Sequence, residues 1–230
     1  MRYLFTNRHG GYSKEPYSTF NLAFHVGDDP KNVEKNRNFL KTLIKADRIV
    51  FMDQVHGDRV VAIDEKNIND IHRCDAVLTH LKDVALCVMV ADCNPILLYE
   101  PQKEIVAAVH AGRNGTFLGI VQKSVDMMKE FYGCDSSKIM AFIGPSIRKC
   151  CYEVSEEIAG VVKKCYGRKY IHNERFLDLA AMNIDQLKSS GLKEENINLT
   201  PVCTCCFKDY FSYRRDKITG RFAGVIKNGD

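Results

Sequence analysis

The feature that most constrains this chain is a series of short apolar runs at 48–52, 59–63, 76–79, 84–90, 96–99 and 105–109, each bounded by turn-forming residues. Such runs are too short for helices and have the length of strands. Val84-Ala-Leu-Cys-Val-Met-Val90 contains no polar residue, so both of its faces are apolar, as in a strand covered on two sides. Around this block the pattern becomes helical. After Pro30, residues 31–44 place Val33, Leu40, Leu43 and Ile44 on one side. Helices are also expected at 114–132, ended by Gly133, at 155–164, opened by Ser155, and at 177–189, stopped by Gly191. Further strands are expected at 3–6 and 139–143, with closing strands at 210–213 and 221–226. The order is neither strict strand–helix alternation nor all-β. It predicts an α+β fold of mixed β-sheets packed with flanking helices in α/β/β/α-like layers, a single domain over residues 1–230.

Composition narrows the classes of function. Apolar residues make up 45% and charged residues 27%, the mix of an ordinary folded domain. The net charge of +4 is spread along the chain with no basic stripe, so no nucleic-acid partner is expected. The longest apolar run, 84–91, is far too short to span a bilayer, and no membrane partner is expected. Met1 to Arg8 lacks the apolar stretch of a secretory signal, which predicts a soluble, cytoplasmic protein. In a reducing compartment the ten cysteines read as buried thiols or metal ligands. Cys150-Cys151 and Cys203-Thr-Cys205-Cys206 are clusters, but no two Cys-x-x-Cys pairs face each other as a zinc ribbon requires. Cys203, Cys205 and Cys206 are taken as buried thiols, Cys203 and Cys205 sharing a strand face, with a second metal site as the alternative. Nothing in the sequence specifies an oligomeric state.

One stretch points to chemistry. The runs 96–99 and 105–109 flank a short connection, Glu100-Pro-Gln-Lys-Glu104, that predicts a hairpin centred on Gln102 and Lys103. Paired positions then sum to about 205, which sets His110 across from Pro95 and close to Cys93. Cys93 follows a buried strand in Val90-Ala-Asp-Cys-Asn-Pro95, and His110 ends Val106-Ala-Ala-Val-His110 in the same way. Polar, ligand-capable side chains at strand ends are common places for chemistry. His56 lies between two more strands in Asp53-Gln-Val-His-Gly-Asp58. Two imidazoles and a thiolate suit zinc and leave a fourth position open, as in catalytic sites. Cys93 with His110 also fits a metal-free thiol–imidazole nucleophile pair.

The segments Asn7-Arg-His-Gly-Gly-Tyr-Ser13, Asn21-Leu-Ala-Phe-His-Val-Gly-Asp-Asp29, Asp53-Gln-Val-His-Gly57, Asp75-Ala-Val-Leu-Thr79, Ala91-Asp-Cys-Asn-Pro95, His110-Ala-Gly112, Ile143-Gly-Pro145, Phe211-Ser-Tyr-Arg-Arg-Asp216 and Thr219-Gly-Arg221 occur in one order across nearly the whole chain. In this the sequence resembles the family known variously as laccase-domain or multicopper polyphenol oxidase proteins, peptidoglycan editing factors and zinc-dependent purine nucleoside phosphorylases. The resemblance implies a metal held by His56, Cys93 and His110, zinc being expected and copper the alternative. It implies small-molecule substrates, a purine nucleoside and phosphate, with adenosine deamination and methylthioadenosine phosphorolysis as further reactions. The alternatives are a copper-dependent polyphenol oxidase, and a hydrolase editing peptidoglycan precursors with Cys93 as nucleophile or ligand. Arg8 and His25, in matching segments, and Asp92, beside Cys93, are expected to bind substrate or orient ligands. The family's His-Ala-Gly-Trp-Arg-Gly is here His110-Ala-Gly-Arg113-Asn114-Gly115, with Arg in place of Trp and Asn in place of Arg. Arg113 and Asn114 open a helix after a strand, where backbone N–H groups favour anions, and Arg113 is expected to reach toward phosphate there.

Overall fold

The computed structural model of the chain describes residues 1–229. Apart from short 3-10 turns, the elements in chain order are β1 (Arg2–Phe5), α1 (Pro30–Ile44), β2 (Arg48–Asp53), β3 (Val60–Ile63), β4 (His72–Arg73), β5 (Ala76–Thr79), β6 (Val84–Val90), β7 (Asn94–Glu100), β8 (Ile105–Ala111), α2 (Arg113–Phe117), α3 (Ile120–Tyr132), β9 (Met140–Ile143), α4 (Glu156–Cys165), β10 (Ile171–His172), β11 (Phe176–Leu177), α5 (Leu179–Ser189), β12 (Ile197–Leu199), α6 (Tyr213–Asp216) and β13 (Phe222–Lys227). Local chemistry sets the helix starts. Pro30 sits at the first position of α1, after Asp29, whose carboxylate accepts from Lys31 N. Ser155 and Asp178 cap α4 and α5 by accepting from Ile158 N and Ala181 N.

Two sheets stack face to face. One has the order β1-β13-β6-β2-β4 and the other β12-β9-β7-β8-β5-β3. Alternation along the strands sorts side chains into three apolar layers. Leu86 and Val88 of β6 meet Leu97, Val106 and Ala108 between the sheets. Ala85, Cys87 and Met89 face the other way, toward Leu40 and Ile44 of α1. Ile96, Leu98, Ala107 and Val109 pack on Val121, Val125 and Met128 of α3 and on Leu187 of α5. The central strands β6 and β8 are buried along their whole length. This is the expected α/β/β/α layering. The hairpin register is also as expected, with Pro95 facing His110 and Ile96 facing Val109.

Several local expectations differ. The helix expected at 114–132 is two, α2 and α3, because Gly119 takes a left-handed backbone (φ 76°) between them. The strand expected at 210–213 is absent. The chain there turns into the single helical turn α6, whose Ser212 hydroxyl accepts from Arg215 N. Cys203 is buried, Cys205 half-buried and Cys206 exposed, and the segment is loop, so the picture of buried thiols on a strand face does not hold. The short strands β4 and β12 join their sheets in parallel, β12 beside β9. Among the described residues no helix is long and apolar enough to cross a membrane.

The chain passes between the two sheets at the β2–β3 and β6–β7 connections, and both passages use non-glycine residues with positive φ, His56 at 59° and Asp92 at 94°. These two passages carry the site. The inter-sheet layer that supports them is tightly filled. Replacing Leu97, which is fully buried in it, by Ala should cost about 2–5 kcal/mol in denaturant unfolding, while Leu118→Ala on the surface should cost less than about 0.5 kcal/mol.

Candidate metal centre and cleft

Three side chains converge where the sheets are bridged. His56 projects from the β2–β3 passage, Cys93 ends the turn from β6 into β7, and His110 is the penultimate residue of β8. One ligand atom from each lies within 4.8 Å of the others. The two imidazoles stand edge to face, with centroids 4.8 Å apart. His110 is buried, Cys93 half-buried and His56 exposed, so the set opens toward solvent on the His56 side. Gly112 keeps the space clear: a Cβ there would lie 3.0 Å from Cys93 Sγ and 3.4 Å from His56 Cδ2. The Gln54 side chain pins the loop by donating to Met89 O and accepting from Met89 N, both at 2.9 Å.

A fourth residue organises these three. The Asp75 carboxylate has no solvent exposure. Its Oδ1 accepts from His110 Nδ1 at 2.8 Å and from His56 N at 2.9 Å, and its Oδ2 accepts from Gly57 N at 2.7 Å. With Nδ1 engaged, His110 presents Nε2 to the site. This is the carboxylate–imidazole arrangement that orients metal-binding histidines. Burial alone would push Asp75 up, but the hydrogen bonds from His110 and from the Gly57 and His56 amides outweigh it and hold the carboxyl below its usual range. Burial opposes ionisation at Cys93 too, yet the charge and hydrogen bond of His110 and the hydrogen bond of His56 bring the thiol down to about 6. His110 moves up to about 9: burial lowers it, and Cys93 and Asp75 more than compensate. The metal-free pair is thus a thiolate beside an imidazolium. Two imidazoles and one thiolate, with a buried carboxylate fixing one ring, form a donor set that suits zinc.

The donor set lines one side of a cleft of about 660 Å3. Its other walls include Asp53, Gln54, Tyr152, Tyr213, Arg214, Lys217 and Arg221. Of the residues expected at the substrate, His25 and Asp92 line the cleft. Asp92 is held by Thr204 Oγ1 at 2.7 Å and Arg214 N at 2.6 Å. Crowding by neighbours, then the charge of Arg221, keeps His25 below the ordinary imidazole value. Arg8 is placed elsewhere: its guanidinium lies over Phe211 and its Nε donates to Ser18 O, which ties down the N-terminal loop. Asn114 is exposed on α2, and Arg113 is half-buried, with its charge acting on the Tyr152 hydroxyl. Neither is among the cleft-lining residues. The cations in the cleft come from Arg214, Lys217 and Arg221 instead. Sequence reasoning did not single out Asp75, Tyr152, Lys217 or Arg221. Asp75 and Arg221 fall in segments that matched the family, which was the available signal.

Stacked sheets between helices, with a His-Cys-His donor set beside a cationic cleft, define a class of compact proteins built around one metal-binding cleft. Residues 2–228 match the family described as multi-copper polyphenol oxidoreductase laccase, and the chain belongs to that family. It is 41% identical to a purine nucleoside phosphorylase of Corynebacterium glutamicum, over 98% of this chain and 94% of that protein. It is 40% identical to a purine nucleoside phosphorylase of Streptomyces coelicolor, over 96% and 93% of the two chains. Among solved structures, the YfiH protein of Bacillus licheniformis superposes with a TM-score of 0.93 at 30% identity, covering 99% of this chain and 92% of that one.

Two outcomes follow from the Asp75–His110–Cys93 chain. Asp75→Asn should weaken zinc binding about 10- to 100-fold in a chelator competition, since an amide cannot accept from all of the same N–H groups. At about pH 7.5, between the values of about 6 for Cys93 and about 9 for His110, Cys93 has already lost its proton and His110 still holds one. Zinc uptake should therefore release about one proton from this pair, measured by calorimetry in buffers of different ionisation enthalpy.

Proposed function

We propose that the protein is a zinc-dependent purine nucleoside phosphorylase. The observation that carries this reading is that the three-donor set and the cationic side chains Arg214, Lys217 and Arg221 line a single cleft. Phosphorolysis needs both a polarising centre and a place for phosphate. The names of the relatives from Corynebacterium glutamicum and Streptomyces coelicolor supply the substrate class. His56, Cys93 and His110 would hold the zinc, which when bound supplies a Lewis-acid charge at the position those ligands leave open.

The remaining work falls to the chain itself. Arg221 and Arg214 bind and orient phosphate by charge-assisted hydrogen bonds, with Lys217 adding a mobile charge at the rim. Tyr152 and Tyr213 offer ring faces to a purine. His25, kept largely neutral near neutral pH by its crowding and by Arg221, accepts a hydrogen bond from a ribose hydroxyl. Asp92, at the cleft wall, accepts from Thr204 Oγ1 and Arg214 N and so fixes the backbone of Arg214. Adenosine deamination and methylthioadenosine phosphorolysis are read as further reactions of the same cleft. The family's description favours a second reading, copper-dependent phenol oxidation. It ranks lower because the cleft offers one three-donor set, whereas coupled multicopper chemistry needs several.

The test is inosine turnover by the zinc-loaded chain with and without phosphate. Phosphate-dependent release of hypoxanthine and ribose 1-phosphate is expected. Arg221→Ala should raise the phosphate KM about 10- to 100-fold, as loss of a charged hydrogen bond implies. Turnover that ignores phosphate, or phenol oxidation by the copper-loaded chain without any phosphorolysis, overturns the reading. Adenosine assayed in the same way shows deamination as inosine formed without phosphate.

A further inference from the structure

On the far side of the cleft wall, four cysteines from two loops meet. Cys150 and Cys151 lie between β9 and α4, and Cys203 and Cys206 lie between β12 and α6. The four Sγ atoms all fall within 4.8 Å of one another. Cys206 Sγ is 3.7 Å from Cys150 Sγ and 3.3 Å from Cys151 Sγ. Four sulfurs at about 2.3 Å from a tetrahedral zinc stand about 3.8 Å apart, so the Cys150–Cys206 separation matches the required edge and the Cys151–Cys206 one is about 0.5 Å short of it. The cluster has further marks of a ligand set. Cys203-Thr-Cys205-Cys206 spaces its two sulfurs as Cys-x-x-Cys, and the Cys205 and Cys206 amides donate to Cys203 Sγ, as does the amide of Arg148. N–H groups turned toward one sulfur favour a thiolate. The Arg148 guanidinium supplies positive charge beside Cys203 and Cys150, which would offset the excess negative charge of four thiolates on a divalent ion. Its Nη2 donates to Gly144 O and Thr200 O, bridging the same two loops, while its buried Nη1 has no hydrogen-bond partner.

We propose that Cys150, Cys151, Cys203 and Cys206 form a second, all-thiolate zinc site that fastens the loop lining the cleft with Ile147 and Tyr152 to the loop that leads into Tyr213 and Arg214. Soft thiolates select zinc over hard cations, and four protein ligands with no open position make the site structural. Its reach into the cleft runs through hydrogen bonds already present. Arg214, a cleft cation, donates from Nη1 to Cys151 O at 3.1 Å. Thr204, next to Cys203, donates to Asp92, and Ile147 N donates to Asp92 O at 2.8 Å. Zinc at the cysteines thus holds Asp92 and Arg214 in place without touching substrate. The site is independent of whichever reaction the cleft performs.

The test counts metal in the full chain, purified anaerobically with zinc present. Two zinc ions per chain are expected. The His56→Ala/His110→Ala variant should retain one, and X-ray absorption of that ion should show only sulfur neighbours at about 2.3 Å. Cys150→Ser/Cys206→Ser should lose one ion and keep the one bound by nitrogen and sulfur. Should the serine variant fail to fold, the histidine variant decides alone. One zinc per wild-type chain, nitrogen among the neighbours of the ion in the histidine variant, or a Cys151–Cys206 disulfide without metal in peptide mapping of the anaerobic protein each overturns the proposal.

Discussion

The site depends on one buried carboxylate. Asp75 has no access to water, so its charge must be met by the N–H groups around it, and it accepts from the His110 ring and from the backbone of His56 and Gly57. Meeting that charge fixes two of the three metal-binding candidates at once. The His110 ring is fixed in tautomer and orientation. The His56 loop is held in a left-handed turn, a conformation uncommon for any residue with a side chain though histidine adopts it more readily than most. The desolvated charge is then answered at Cys93, whose thiolate is stabilised by the same imidazolium that Asp75 holds. An uncharged replacement for Asp75 would leave those amides pointing at a weaker acceptor and free the loop from its anchor.

The layers explain why such a strained arrangement persists. β6 and β8 are buried on both faces and packed on three apolar layers, so the ends of these strands cannot drift. Cys93 and His110 inherit that rigidity, being within a residue of β7 and inside β8. Positive φ at His56 and Asp92 costs of order 1–3 kcal/mol each, and the packing on either side over-determines both turns.

The part of the site that was legible in the sequence is the part that this periodic core dictates. The short connection centred on Gln102 and Lys103 set the hairpin register, and register alone brought His110 to Cys93. The layering was legible for the same reason, because continuous apolar runs such as 84–90 require cover on both faces. What was not legible lies in loops, where contacts depend on tertiary placement and not on period. Asp75 sits immediately before a strand, and only the fold shows it reaching 35 positions along the chain to His110. The 200–216 segment misled for a related reason: Phe211-Ser-Tyr213 alternates like a strand, but Ser212 caps a helical turn. The break at Gly119 was open to recognition as a left-handed glycine, yet the apolar period continued across it and concealed it.

The departure at Arg113 and Asn114 takes on a different meaning in this setting. Judged from the chain alone, a missing arginine beside His110 suggests a lost phosphate contact. In the fold, Arg113 and Asn114 are not among the residues lining the cleft, and its positive charge comes from Arg214, Lys217 and Arg221, with the Arg214 guanidinium over the Tyr152 ring. A residue near a metal-binding histidine in sequence need not line the cleft: Gly112 lies against Cys93 Sγ, whereas Arg113 and Asn114 are not among the lining residues. Gly112 itself is the more constrained neighbour, since even a methyl group there would press on Cys93 Sγ. The sequence around the donor set is therefore restricted by sterics at Gly112 and electrostatics at Asp75. At Arg113 the charge acts on Tyr152, a cleft-lining residue, so variation there changes the electrostatics of that wall without removing a metal-binding side chain.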